Sequence, residues 1–343
     1  MKALRQLNFN LGDPKLSQHP TNIAVALLLG IYELTNFENG NGWIQHAGGV
    51  GKLIETRGAD SLNEGPARFY YKLSRIPIIT HALIMRKRTF LEAQVWRSIT
   101  STVESPFIKS SFALVDIMAH IPGICEDSDM AIQALNSGLV PSTVPETLEK
   151  RIIEVFRQLF SWRWTWEYWN SNLVYEIQVD PKVHFTVDDE KVPLFQTIYF
   201  CRHFHRGKES VLYNTALLLL FDLTRTWSFR NCPAQALEGA SLAPSGKTTN
   251  PLRLPHAQLS SQEVSDEVCQ SLEWFLQGPE RMSGVINMIF PIRILSDALP
   301  EGKKRRWLLT LLERMGVSEG FQFTKRLHRR ERIVRDLNQT IDI

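Results

Sequence analysis

Apolar residues recur every three or four positions along nearly the whole chain, and this spacing constrains the fold more than any other feature. The periodic runs between proline and glycine breaks are long enough for ordinary helices. Strand-like text is confined to residues 173–192, where the short runs VYEIQV and KVHFTV predict at most a small hairpin. The sequence therefore predicts an all-α protein, an irregular multi-helix single domain.

Proline and glycine also set the predicted boundaries. Residues 1–20 are predicted to be an irregular lead-in, because Pro14 and Pro20 discourage regular structure, and 21–343 to be the helical domain. Residues 233–261, rich in Pro, Gly, Ser and Ala, predict one long mobile loop. Helices are predicted over 21–36, 43–57, 65–83, 106–118, 145–169, 193–229 with a break at Gly207, 261–276, 280–299, and 303–337 with a break near Gly316.

Composition excludes several classes of protein. A hydrophobic content of 43% and a charged content of 22% are ordinary for a soluble globular chain. The net charge of +3 is too small to indicate nucleic-acid binding. The N-terminus lacks a signal-peptide core, and the apolar run 23–32 is shorter than the ~20 residues that span a bilayer, so no membrane partner is expected.

The possible metal ligands are scattered. The 4 cysteines have no zinc-site spacing, which fits a reducing compartment, the nucleus or the cytoplasm. Cys201, His203 and His205 form one dense group, but on a helix their side chains would point to different sides. Carboxylates at 126–129 and 188–190 are interpreted as solvated residues at turns rather than magnesium ligands. No metal and no cofactor is expected.

Two glycine-containing stretches invite comparison with phosphate-binding loops. Gly48, Gly49 and Gly51 lie inside a helix-period pattern with no preceding strand, so they are interpreted as sites of close helix crossing. The run SGKT at 245–248 lacks a glycine at the required spacing and is interpreted as part of the mobile loop.

The aromatic block FSWRWTWEYW, residues 160–169, has four tryptophans in eight positions. Packing of a core helix against two neighbours is the simpler interpretation. The alternative is a wall of an apolar ligand pocket, with Arg163 or Glu167 as its polar contact. The candidate ligand-binding residues are Trp162, Trp164, Trp166, Tyr168, Trp169, His46, His203 and His205.

Basic residues cluster at 303–306 and 325–332. Such runs can serve nuclear import or phosphate contact. The apolar residues that follow Arg306 favour another interpretation, in which the basic residues form the solvent-exposed face of an amphipathic helix.

Three blocks of the chain together closely resemble the fungal-specific transcription factor domain, the regulatory region of zinc-binuclear-cluster regulators. The blocks are ALLLGIYEL, WIQHAGGVGKLIETRG and RKRTFLEAQVW, between residues 24 and 96. The matching positions include Glu33, Trp43, His46, Arg57, Gly58, Phe90 and Trp96. The resemblance implies an all-α fold, a fungal source and a role in regulating transcription, with these positions acting as structural residues.

The chain departs from that family in one respect. The family's DNA-binding module carries six cysteine ligands, which 4 scattered cysteines cannot supply, so no direct sequence-specific DNA binding is expected. One hypothesis is a regulatory domain linked to specialised metabolism, with protein partners in transcription and an apolar small-molecule ligand. The alternative is a biosynthetic enzyme on the same fold, a cofactor-free cyclase or isomerase such as a pericyclic cyclase, with an aromatic-lined pocket.

Overall fold

Helices form most of the chain that the computed structural model describes, as the apolar spacing predicts. The described residues are 2–36, 42–62, 65–101, 106–137, 144–180, 186–187, 192–241, 249–277 and 281–318. The all-α prediction is confirmed. The helices are α1 (Lys2–Gly12), α2 (Thr21–Asn36), α3 (Gly42–Arg57), α4 (Gly65–Met85), α5 (Gln94–Ser101), α6 (Pro106–Met118), α7 (Ile121–Asn136), α8 (Val144–Asn170), α9 (Phe204–Thr226), α10 (Cys232–Glu238), α11 (Ser261–Gln277), α12 (Arg281–Ala298) and α13 (Lys303–Ser318), with short 3-10 turns at Ala59–Leu62 and Phe90–Glu92.

Helix α9 lies at the centre of the fold. Its apolar residues surround the helix instead of lining one stripe, which is the pattern of a helix buried on all sides. It contacts α6, α7, α8, α11 and α12. One hydrophobic core extends from Leu7 to Leu312 around it. Polar groups on α9 consequently lie deep inside the protein and need partners there.

The N-terminal lead-in was predicted incorrectly. Residues 2–12 form α1, because Leu4, Leu7 and Leu11 follow helical spacing and Leu7 enters the core. Pro14 follows the helix rather than interrupting it, in a position where proline is tolerated. The helix is anchored to α2 by a 3.2 Å hydrogen bond from Asn10 Nδ2 to Asn22 Oδ1.

The strand-like text pairs differently from the predicted hairpin. Strand β1 (Val174–Gln178) is antiparallel to β4 (Thr197–Cys201), whereas β2 (Thr186–Val187) pairs with β3 (Val192–Pro193). The helix predicted from 193 therefore begins only at Phe204. Residues 197–201 carry Ile, Tyr and Phe in succession, an apolar run that a short strand accommodates as well as a helix does.

One further prediction in this part of the chain is wrong, and the bounds of another need correction. Gly207 does not break α9, because the glycine lies against the ring of Trp274, where a Cβ would approach to 2.9 Å. The loop predicted over 233–261 starts later than expected, because α10 (Cys232–Glu238) occupies its beginning. Its described residues 239–241 and 249–260 form no helix or strand, as predicted, but Asn250 and Leu252 are buried. The SGKT run, the carboxylates at 188–190 and the basic residues at 325–332 lie outside the described residues.

Glycines allow α3 to approach α4 closely. A Cβ at Gly48 would lie 2.6 Å from Nε2 of His81, and one at Gly51 would lie 3.6 Å from Ile78. The prediction of close helix crossing is confirmed for these two glycines. It is wrong for Gly49, which has no neighbouring atom within 4 Å of a Cβ position.

One stretch of the described chain, Ile108–Asn136, is apolar and long enough to cross a membrane by length and composition. It is divided between α6 and α7 by the turn at 119–120, and 56% of its apolar window is buried in the fold. A core helix pair has the same character, so the stretch is weak support for a membrane span.

Candidate functional site

The family-like residues of the second block lie along α3. Trp43, His46 and Arg57 are partly buried, and burial lowers the pKa of Arg57. Gly58 ends the helix with a φ of +81°, the left-handed conformation that glycine adopts without strain. Glu33 of α2 lies beside Gly42, where a Cβ would be 2.6 Å from Oε2. These positions thus end a helix or pack one helix against another.

The third block packs against α4. The rings of Phe90 and Trp96 meet edge to face with centroids 4.6 Å apart. The buried Tyr71 hydroxyl donates a 2.8 Å hydrogen bond to the carbonyl of Trp96. Because Phe90 also lies 3.8 Å from a Cβ position at Gly51, the second and third blocks form one packed unit.

The tryptophan block of α8 is divided between core and surface. Trp162 and Trp166 are buried, Trp164 is partly buried, and Tyr168 and Trp169 are 58% and 47% exposed. The five aromatic residues therefore do not line one common wall. Core packing explains Trp162 and Trp166, since Trp162 stacks on Tyr213 of α9 at 5.5 Å and its Nε1 donates to the Ser110 carbonyl.

Glu209 of α9 is a buried carboxylate that accepts several hydrogen bonds. Its Oε2 accepts a 2.9 Å bond from Trp166 Nε1, and Arg206 Nη1 lies 2.8 Å from both carboxylate oxygens. The Ser111 hydroxyl also donates to Oε1. The side chain is nearly inaccessible, so its charge depends on these donors in place of water.

Arg163 and Glu167 form a second buried pair, one helical turn apart on α8. Arg163 Nη1 donates a 2.6 Å bond to Glu167 Oε2, and Asn250 Nδ2 donates to Oε1 at 2.9 Å. The Arg163 guanidinium also lies 5.0 Å from the ring of Trp166. Asn250 in turn accepts from the backbone N–H of Val174. Arg163 and Glu167, the polar contacts predicted for a ligand pocket, thus bind each other, and Asn250 links them to the start of β1.

Glu267 of α11 completes the group. Its Oε1 accepts from Asn214 Nδ2 at 2.8 Å, and its Oε2 accepts from the backbone N–H of Arg253 at 2.6 Å. Burial raises the pKa of Glu267, while Asn214 and the nearby Arg163 oppose that shift. We define the core cluster by its seven members, Arg163, Glu167, Arg206, Glu209, Asn214, Asn250 and Glu267.

Unused hydrogen-bonding capacity remains beside the core cluster. Nε and Nη2 of Arg163 and the Tyr213 hydroxyl are buried and have no hydrogen-bond partner among the described residues. Burial also raises the pKa of Tyr213. The arrangement offers neutral and cationic donors, together with a carboxyl whose burial favours its protonated form.

A second ionic group joins the turn after α4 to α7 and α8. Glu92 accepts from Arg88 Nη1 at 2.5 Å and from Arg151 Nη2 at 2.9 Å, and His120 Nδ1 lies 3.3 Å from it. Burial raises the pKa of Glu92, but the bonds from His120 and Arg88 and the charges of Arg88 and Arg151 outweigh it, so the net shift is downward. We define the rim cluster as Arg86, Arg88, Glu92, His120, Asp127, Asp129 and Arg151.

The carboxylates at 126–129 lie in a helix, within the rim cluster or next to it, and not at turns, which corrects the interpretation from the sequence. They lie in α7. Asp129 receives two bonds from Arg86, of 2.6 and 2.5 Å, and Asp127 pairs with Arg88 and Arg151. Lys87 Nζ donates a 2.9 Å bond to Oε1 of Glu126. Arginine and lysine therefore balance the charges that a magnesium ion would otherwise balance.

The described residues contain no group of three or more side chains placed to hold a metal ion. Cys201 ends β4 and is buried, whereas His203 and His205 are exposed on either side of the start of α9. Cys201 Sγ donates to the backbone carbonyl of His203. His46 lies instead on α3, facing Gly30 of α2.

Sequence reasoning identified Arg163, Glu167 and the buried tryptophans but missed the other half of the core cluster. Asn214 lies between the apolar residues 211–213 and the apolar run 216–221 of α9, and a polar residue in such surroundings is the signal that could have found it. Glu209 and Glu267 have the charged neighbours Lys208 and Asp266, so no such signal marks them in the sequence.

Part of the chain is similar to a fungal protein. An uncharacterized protein of Emericella nidulans is 31% identical over 157 residues, which cover 43% of this chain and 33% of that protein. The match thus spans about a third of the relative's length. No family profile and no solved structure matches the chain.

Proposed function

We propose that the chain is a regulatory helical domain that acts in the nucleus on transcription, through protein partners, as its resemblance to the fungal-specific transcription factor domain implies. The observation that carries this proposal is the single packed unit formed by the second and third blocks. Gly51 lies against Phe90, and Phe90 packs on Trp96. The backbone carbonyl of Trp96 accepts a hydrogen bond from the Tyr71 hydroxyl. The positions that match the family blocks serve to pack helices together, which is expected of a scaffold rather than of a catalytic centre.

The state of the nucleophilic side chains supports the same proposal. Burial raises the pKa of Cys125, Cys201 and Cys232 to about 11 in each case, and it raises that of Cys269 further. Thiols are therefore protonated at neutral pH and have low reactivity. The buried carboxylates of the core cluster are bound by arginine, asparagine and tryptophan donors, an arrangement suited to fixing helices in place.

The relative in Emericella nidulans is consistent with a fungal source, which is part of what the resemblance implies. It adds no information about activity. A role in specialised metabolism and an apolar small-molecule ligand are further parts of the proposal.

A tethering experiment tests the proposed function. The full chain is fused to an unrelated DNA-binding domain in a fungal host, and transcripts of a reporter with the matching sites are measured. We expect a several-fold change relative to the DNA-binding domain alone, and none on a reporter lacking the sites. An unchanged reporter at equal protein level would contradict the proposal. Conversion of a metabolite from a deletion strain by the purified chain would instead favour the cyclase or isomerase.

A further inference from the structure

Aromatic rings form a continuous ladder across the β1–β4 pair and the ends of two helices. Tyr175 and Phe200 are cross-strand partners with ring centroids 5.0 Å apart. Phe200 meets Trp274 of α11 at 5.7 Å, and Trp274 meets Phe204 of α9 at 6.2 Å. We call these four residues the aromatic face. Core packing alone does not account for the face, because none of the four side chains is fully buried.

The ladder depends on the absence of a side chain at Gly207. A Cβ there would lie 2.9 Å from the ring of Trp274 and 3.0 Å from that of Phe275. Glycine therefore lets the rings of α11 lie directly on α9, which fixes Trp274 in register with Phe200. The face is rigid because two strands and two helices hold its rings.

The face leaves aromatic surface in water. Tyr175 is 40% exposed, and Phe200, Phe204 and Trp274 are half-buried. Contiguous exposed aromatic surface with polar residues around it is characteristic of interaction sites. The rings are spaced so that a further aromatic side chain could stack or meet them edge to face.

Basic side chains lie beside the aromatic face. The Arg202 guanidinium lies 5.8 Å from the Tyr175 ring, and His205 meets Phe204 at 5.8 Å. The stretch 201–208, CRHFHRGK, contains no acidic residue. Glu209, which follows it, is buried and bound to Arg206. Glu176 is next to Tyr175 in β1, and alternation along the strand directs it to the opposite side.

We propose that the aromatic face docks an acidic linear segment of a partner protein that carries aromatic side chains. Rings of the segment stack on Tyr175 and Phe200 while its carboxylates meet Arg202 and the exposed histidines. A nucleic-acid strand fits less well, because successive phosphates require a longer row of fixed cations than Arg202 provides beside the face. The inference names the partner chemistry of the proposed regulatory function and rests on it.

Fluorescence anisotropy on the full chain tests the docking site. The probe is a short fluorescein-labelled peptide of alternating aspartate and phenylalanine, compared with a peptide in which asparagine replaces every aspartate. We expect saturable binding of the acidic peptide and much weaker binding of the neutral one. Tyr175→Ala and Arg202→Glu should each raise the Kd about tenfold, the size expected of a central interface residue.

Matched variants control for general effects. Phe69→Ala removes an exposed ring of α4, and Lys52→Glu reverses an exposed charge of α3, so both should leave the Kd unchanged. Unfolding midpoints equal to that of the wild type in all four variants would exclude misfolding as the cause of a changed Kd. Equal binding of both peptides, or an unchanged Kd for Arg202→Glu, overturns the proposal. Tighter binding of labelled oligothymidine, lost in the same variants, overturns it in favour of a nucleic acid. If the Arg202→Glu chain no longer binds the peptide but still changes the tethered reporter, the regulatory function stands without this site.

Discussion

The core cluster and the rim cluster use the same residue types, arginine paired with carboxylates, in opposite surroundings. Arg163 and Glu167 have side chains that are 1% and 7% exposed, whereas Arg88 and Asp127 are 42% and 33% exposed. Around Arg88 and Asp127 of the rim, water can replace a lost partner. In the core, a lost partner leaves a charge without solvation. The comparison indicates that burial, and not the number of ion pairs, decides what each cluster contributes.

Removing Glu209 should have the largest effect on stability. In Glu209→Ala, Arg206 and Trp166 Nε1 lose their buried acceptor, so we expect the free energy of unfolding to fall by about 3–5 kcal/mol. Urea denaturation followed by circular dichroism measures it. Glu209→Gln keeps one acceptor oxygen and should cost less. An alanine variant as stable as the wild type would show that the core charges do not depend on this carboxylate.

Glu267→Gln should change how stability depends on pH. Burial raises the pKa of Glu267 above the ordinary value of 4.5, so the folded protein retains a proton that the unfolded chain loses. The stability that the wild type gains over the variant is therefore at its full value below pH 4.5. It falls as pH rises toward the folded pKa, by at most about 1.4 kcal/mol per pH unit. Parallel stability curves for the two proteins over this range would contradict a raised pKa.

Glu92→Gln in the rim should show the opposite sign and a smaller effect. The pKa of Glu92 is lowered, so its contribution is present above the ordinary value of 4.5 and is lost as pH falls through the folded pKa. We expect a loss of about 1 kcal/mol at neutral pH, reduced by high salt because the cluster is partly exposed. A loss as large as that of Glu209→Ala would remove the distinction between the clusters.

The sequence predicted local structure well and long-range pairing poorly. Thr21–Asn36 and the helix ending at Gly58 were predicted because periodicity and a glycine cap are local signals. Strand β4 was missed because its partner β1 lies about twenty residues away and its apolar run also suits a helix. The strand is recognisable only from its cross-strand neighbours.

The candidate site shows the same limit. Arg163 and Glu167 are four residues apart on α8, and their helical spacing was visible in the sequence. The bond from Asn214 to Glu267 spans 53 residues, and that from Asn250 to Glu167 spans 83. No local pattern encodes such pairs, since they depend on how α8, α9 and α11 pack together. The aromatic face likewise required the β1–β4 register.

The tethered reporter, driven by the wild-type chain and by a Tyr175→Ala, Arg202→Glu double variant, tests the central claim most directly. The account predicts a clear change in transcript level with the wild-type chain and little change with the double variant at equal protein level and equal unfolding midpoint. An equal response from both proteins would contradict a role for the aromatic face, and no response from either would contradict the regulatory function itself.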